Sequence, residues 1–196
     1  QKTMNKLIKA LDFSLKKFYD GIHLVDDSVV INDLLKTSSL ILVPNHQSHA
    51  DYVAVNYMFY KTYKSPLYVA GGDNLNIFPI GTLFRKCACF FIRRSFQGDV
   101  VYRLTFEAYL FYLLKTGKPV EFFFEGGRTR SGKLLSPKFG LFTMLIEAHS
   151  NIIESQRRPL VFLPVSIVHQ YVPEQKTLTN ELEGAKKKKE SGRQLL

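Results

Sequence analysis

A chain of 196 residues, 45% of them hydrophobic and 22% charged, is long enough for one domain with a sizeable core and has the composition of an ordinary folded protein. Its apolar runs, of which AYLFYLL (Ala108–Leu114) is the purest near the middle, all fall short of the roughly 18 residues a membrane-spanning helix requires. A net charge of +10 argues for an anionic partner, which leaves nucleic acid, an anionic membrane surface or a phosphorylated substrate.

In chain order, Leu7, Ile8, Leu11, Leu15 and Phe18 recur at helical spacing with lysines opposite, predicting an amphipathic helix over Gln1–Tyr19 that ends before Gly21. Gln1 is not a natural start, so the chain reads as a piece of a longer protein. A short helix is expected around Val29–Lys36, then the buried strand LILV. HADYVAVNYMFYKTY reads as a helix stopped at Ser65–Pro66, and LYVAGG as a strand ending in glycines. NIFPIGTLFRK is a loop with a short helix, and CFFIRR a buried strand with a basic tip. The pair Cys87 and Cys89 falls on that strand, pointing to opposite faces at a spacing poor for a disulfide, which suits a reducing compartment. Val100–Lys115 is a helix apolar on most sides, either buried or facing a membrane. PVEFFFEGG is a strand with a glycine turn, Gly140–Ser150 a helix, and PLVFLPVSIV one or two strands. ELEGAKKKKESGRQLL closes the chain as a helix or mobile segment.

Strands alternating with helices predict an α/β domain with a mixed, largely parallel sheet flanked by helices. Three segments fit this: a helical lead-in over 1–37, a catalytic α/β domain over 38–175 and a basic segment over 176–196. Three strands end in charge, in LILVPNHQSHAD, CFFIRR and EFFFEGGRTR, and parallel strands deliver their tips to one edge, where open α/β sheets bind ligands. On a continuous helix His46 and Asp51 would stand about 140° apart and could not meet. Across a strand-to-helix junction the carboxylate can fold back on the imidazole, fixing its tautomer and leaving the other nitrogen as a base for a substrate hydroxyl. The alternative is that Ser48, His49 and Asp51 only cap the helix. Arg93 and Arg94 suit phosphate, or else a solvated strand end with surface ion pairs. In EGGRTRSGK, Gly126 and Gly127 permit close backbone approach, and Arg128, Arg130 and Lys133 add charge without the spacing of a Walker loop. Together these describe a base beside an anion-binding wall. A metal hydrolase using His46, His49 and Asp51 is the poorer fit, because His23, His149 and His169 complete no ligand motif.

From about Ile41 to Ser191 the sequence resembles the glycerolipid acyltransferases, and within them the bacterial membrane-type glycerol-3-phosphate acyltransferases. NHQSHADY matches the His-x4-Asp block, and GGDNLNIFPIGTLFRKCACFFIRRSF resembles the approach to the second block, with its FIRR core at Phe91–Arg94. EGGRTRSGK matches the third block, LPVSIV the fourth with Pro164 at its proline, and ELEGAKKKKES the segment after it. The resemblance implies the fold of that family. It also implies transfer of an acyl group from acyl-CoA or acyl-carrier protein to the sn-1 hydroxyl of glycerol 3-phosphate. The product would be lysophosphatidate, in the first step of phospholipid synthesis, with no cofactor or metal. His46 would be the base and Asp51 its orienting partner. Arg93, with Arg94, would hold the phosphate, Glu125, Gly126, Gly127 and Arg128 would shape the acceptor site, and Pro164 its far wall. Where the family has glycine before the FIRR strand this chain has Ala88. Acylation of dihydroxyacetone phosphate or lysophosphatidate by the same site is an alternative. A basic lipid- or nucleic-acid-binding module, suggested by charge and Lys186–Lys189 alone, is another. No specific nucleic-acid partner is expected, and a peripheral place on the cytoplasmic face of an anionic membrane is.

Overall fold

The computed structural model describes residues 21–78, 80–93 and 95–170, together with 172, 179, 180 and 183. The helix expected over Gln1–Tyr19, the lysines 186–189 and Arg94 lie outside the described residues.

Helix α1 (Ser28–Thr37) starts where the Asp27 carboxylate accepts from the amides of Val29 and Val30, and it leads into β1 (Ser39–Pro44). Then come α2 (Ala50–Tyr63), β2 (Tyr68–Gly72), α3 (Ile80–Lys86) and β3 (Phe90–Ile92). They are followed by α4 (Val100–Lys115), β4 (Val120–Glu121), α5 (Phe139–Ser150) and β5 (Leu160–Val165). The five strands form one sheet in the order β3-β2-β4-β1-β5, and every pairing is parallel. The α/β class expected from the sequence is therefore present, with no antiparallel strand in this sheet.

Alternate residues of the strands feed two cores. Ile41 and Val120 pack with Phe106, Leu110, Leu113 and Leu114 of α4 and with Leu145 and Ala148 of α5. Leu40, Leu42 and Val69 pack with Ile31 of α1 and Phe59 of α2. The stripe 106, 110, 113, 114 is the i, i+4, i+7, i+8 pattern of a helix with one buried face. The apolar character of α4 is thus mostly core, while Val100, Val101, Leu104 and Tyr112 stay exposed.

Two predicted elements differ. Only Val120 and Glu121 of PVEFFFEGG remain in the sheet, because the aromatic run is drawn off sideways: Phe122 packs edge-on against Phe124, and Phe124 meets Phe139 and Phe142 of α5. Cys87 and Cys89 do not share a strand. Cys87 sits in the turn after α3, with its thiol directed at the Leu83 carbonyl, and Cys89 precedes β3. Between them Ala88 has φ 66°, so the chain reverses through a left-handed residue. Both thiols are free, and burial pushes the pKa of Cys87 up to about 11.

The topology fixes where a site can form. β1 and β4 are neighbours, but β1 leads into α2 on one face of the sheet and β4 leads into α5 on the other. Adjacent parallel strands whose connections part to opposite faces leave a crevice at their carboxyl ends. His46 lies two residues beyond β1, at that crevice.

Candidate active site

The turn after β1 is built around one carboxylate. Asp51, in the first turn of α2, has no solvent exposure. Its Oδ2 accepts from His46 Nδ1 at 2.9 Å and from the amides of Gln47 and Ser48 at 2.6 and 2.9 Å. Its Oδ1 lies 2.6 Å from His169 Nε2. Burial raises the carboxyl's pKa, but the hydrogen bonds from His169, His46, Ser48 and Gln47 together overcome it and hold the group well below the usual carboxylate range. Asp51 is thus an anion at neutral pH. Within the same turn Ser48 Oγ accepts from the Ala50 amide at 3.0 Å. The pairing reading of this turn is the one realised, and the same carboxylate also takes the amides of Gln47 and Ser48.

Because an ionised carboxylate only accepts, the His46 nitrogen facing it must carry the proton. Nδ1 is therefore the donor, and Nε2 of the neutral ring keeps the lone pair. Phe123 stacks on the imidazole with centroids 3.9 Å apart and planes inclined by 24°. His46's own backbone is fixed by the loop after β4: Glu125 Oε1 accepts from the His46 amide at 2.9 Å, and the Thr129 amide donates to the His46 carbonyl at 2.8 Å. The other Glu125 oxygen accepts from the Leu135 amide at 2.7 Å. The base is held by its edge, its face and its main chain.

The remaining residues singled out in the sequence divide. Glu125 is buried in the clamp just described. Gly126 follows it at φ 63°, a conformation few residues other than glycine adopt readily. Gly127 has no such φ and has open space where a side chain would begin. Arg128 is half-buried on the same loop. The strand of Arg93 stops at Ile92, and in the sheet β3 stands three positions from β1, roughly 14 Å. The Arg93 guanidinium pairs with Asp99 at 2.9 Å and lies over the Tyr102 ring, 4.5 Å from its centroid. Among the described residues its side-chain partners are Asp99 and Tyr102, not His46 or Asp51.

Pro164 is exposed and in register with Val43 on β5, an edge strand. The amides of Ser39 on β1 and of Asn45 just beyond it donate to the carbonyls of Pro159 and Val165, so odd-numbered residues of β5 turn their backbone toward β1. The backbone of Pro164 faces the open margin instead.

Three residues escaped the sequence reading. Phe123 hides in the run FFF, whose members have three different tasks. His169 was set aside because it completes no ligand motif. Glu121 read as one more strand residue, yet it is fully buried, and neither carboxyl oxygen has a hydrogen-bond partner among the described residues. Burial, and then the charge of Asp51, push its pKa well above the ordinary value. The described residues contain no group of three or more His, Cys, Asp or Glu side chains placed to hold a metal ion.

Comparison with known proteins bears on this geometry. Glycerol-3-phosphate acyltransferase of Haemophilus influenzae (strain PittEE) is 39% identical over 188 residues, which are 94% of this chain and 23% of that protein. The protein of the same name from Ectopseudomonas mendocina (strain ymp) is 40% identical over 181 residues, 92% of this chain and 21% of its own. That from Hamiltonella defensa is 39% identical over 188 residues, 96% and 23%. The chain thus spans about a quarter of the length of these relatives. A solved structure, the 1-acyl-sn-glycerophosphate (LPA) acyltransferase PlsC from Thermotoga maritima, aligns at a TM-score of 0.40 with 18% identity, covering 76% of this chain and 68% of that one. The family model described as Acyltransferase matches residues 28–168, a span that takes in the dyad turn, the clamp loop and all five strands, and the chain belongs to the acyltransferase family.

Proposed function

We propose that this chain carries the acyl-transfer site of a glycerol-3-phosphate acyltransferase, moving an acyl group from acyl-CoA or acyl-carrier protein to the sn-1 hydroxyl of glycerol 3-phosphate and giving lysophosphatidate. The observation that carries this reading is the imidazole of His46, fixed by a buried anion at Nδ1 with Nε2 left basic, in a chain whose relatives bear that name. As the acceptor hydroxyl attacks the thioester carbonyl carbon, its proton passes to His46 Nε2, and the imidazolium so formed is stabilised by Asp51. Collapse of the tetrahedral adduct breaks the C–S bond, and the same proton leaves on the thiol. Proton and electron pairs balance without an acyl-enzyme.

The acceptor's phosphate needs cations near the crevice. Arg128, on the clamp loop beside Thr129, whose amide donates to the His46 carbonyl, is one candidate, and Arg93 would reach a shared ligand by exchanging Asp99 for phosphate. The loops leaving the same sheet edge carry exposed apolar side chains, Phe78 at 86% and Leu134 at 76%. With the basic balance they support a peripheral seat on an anionic bilayer, at the cytoplasmic face, from which a long acyl product departs. No helix among the described residues is long and apolar enough to cross a membrane.

The test is to supply glycerol 3-phosphate, dihydroxyacetone phosphate or lysophosphatidate with each donor and identify products by mass. Lysophosphatidate formed by the wild type and lost in His46→Ala is the expected result. No acylation of any acceptor, or equal activity in the variant, overturns the reading. Sedimentation with anionic vesicles at low salt tests the membrane seat, and recovery wholly in the supernatant counts against it.

A further inference from the structure

The sheet pairing ends at Val165, but the chain does not lose its register there. Asn45 holds Ile167 by both backbone groups: its Nδ2 donates to the Ile167 carbonyl at 3.1 Å, and its Oδ1 accepts from the Ile167 amide at 2.6 Å. A side-chain amide here imitates one further rung of a strand. Burial alternates accordingly, with 163, 165, 167 and 169 half-buried and 164, 166, 168 and 170 exposed. Leu163 and Val165 belong to the core beneath α2, so residue 169 falls on that face by the two-residue period. This delivers the His169 side chain, 6% exposed, to Asp51, 118 positions earlier in the chain.

The two oxygens of Asp51 are served unequally. Oδ2 takes His46 and two amides of its own turn, whereas Oδ1 meets a residue from the far end of the domain. Since the carboxylate is ionised, His169 Nε2 must be the donor. The local donors alone leave the carboxylate plane to be set by whichever amide lies best, and the second imidazole fixes it from the other side. The ionisable groups around this point are His46 from the β1 turn, His169 from beyond β5 and Glu121 from β4, which is coupled to Asp51 electrostatically.

We propose that His169 is a positioning residue of the acyl-transfer site: its Nε2–H holds Asp51 so that Oδ2 faces His46 Nδ1, keeping the base in its reactive tautomer. The proposal rests on the functional reading above and gives the site an element one residue beyond the fourth block, LPVSIV.

The test uses the whole chain in three variants. His169→Leu removes the donor at similar volume, His169→Gln places an N–H where Nε2 stood, and His169→Asn is too short to reach. In His169→Leu, kcat should fall about 10²-fold while both KM values move by less than about threefold. His169→Gln should recover most of the loss. Nitrogen NMR of the labelled histidines should show His46 as the Nδ1–H tautomer in the wild type and glutamine variant, and as a tautomer mixture in the leucine variant. If the leucine variant does not fold, the asparagine variant must show the same losses. Wild-type kcat and an unchanged His46 tautomer in a folded variant lacking the donor, or a glutamine variant as impaired as the leucine one, overturns the proposal. Should the wild type acylate no acceptor, the functional reading fails, while the ring-nitrogen signals still decide whether His169 governs the His46 tautomer.

Discussion

Asp51 and Glu121 are carboxyls of the same domain, both without solvent exposure, and they are driven in opposite directions. Glu121 is level with Leu42 and Val69 in the sheet, on the face covered by α2, whose first turn holds Asp51. Desolvation penalises the charged form of each. What separates them is the supply of donors. Two histidines and two amides converge on Asp51 and make it an anion, whereas Glu121 receives no hydrogen bond from the described residues and, with that anion nearby, favours its neutral form. The lesson is that burial does not set the charge of a carboxyl. The donors delivered to it do, and at the β1–α2 junction they come both from the turn itself and, through His169, from beyond β5.

The comparison breaks first at the anion. Asp51→Asn keeps the shape and removes the charge, and it should lower kcat about 10²–10⁴-fold, as should His46→Ala, in a steady-state transfer assay. The opposite change is Glu121→Met, which fills the same volume with no polar atom. It should leave kcat near wild type and raise the unfolding free energy by about 1–3 kcal/mol in denaturant titrations at neutral pH. The two carboxyls also predict opposite pH slopes. Asp51, its pKa depressed on folding, contributes stability that is present above the ordinary carboxylate value and is lost as pH falls through its folded one. Glu121, its pKa raised, costs stability progressively as pH rises past that ordinary value. The advantage of Glu121→Met should therefore grow between pH 5 and pH 8, roughly the range above the unfolded glutamate pKa; a constant gain would mean the group is already ionised when folded.

A further variant asks whether donors outside the turn matter as much. Arg93→Ala should raise the KM for glycerol 3-phosphate about tenfold and leave the donor KM little changed. A rise in the donor constant alone would remove Arg93 from the phosphate. The smallest effect belongs to the backbone. Gly126 and Ala88 share nearly one φ, 63° and 66°, but only one of them has a Cβ. Ala88→Gly should stabilise by about 0.5–1 kcal/mol in the same titrations. Gly126→Ala should destabilise, with its new methyl 3.0 Å from Lys138 Cδ.

Much of this was legible beforehand, because strand-to-helix alternation and the charge at strand tips are local patterns. The His46–Asp51 contact lies within five residues, and a helix that starts at Ala50 leaves the turn free to bring the pair together. Strand order was not legible. The tips of β1, β3 and β4 do share an edge, but nothing in CFFIRR says that β3 is outermost, so Arg93 looked closer to His46 than it is. His169 was hidden for the same reason at greater range. The strand in PLVFLPVSIV was visible, but the partner of the histidine just beyond it lies 118 residues away and is chosen by the β1–β5 pairing. Ala88 marks the reverse case, in which a departure noticed by resemblance acquires a physical meaning from a positive φ.

The proline of β5 has one more consequence. Its missing N–H falls on the side of β5 that pairs with no other strand among the described residues, and the opposite margin, β3, is only three residues long. A second polypeptide seeking to extend this sheet would find one rung absent at one end and too few rungs at the other, which protects a five-stranded parallel sheet from self-association without enclosing its borders.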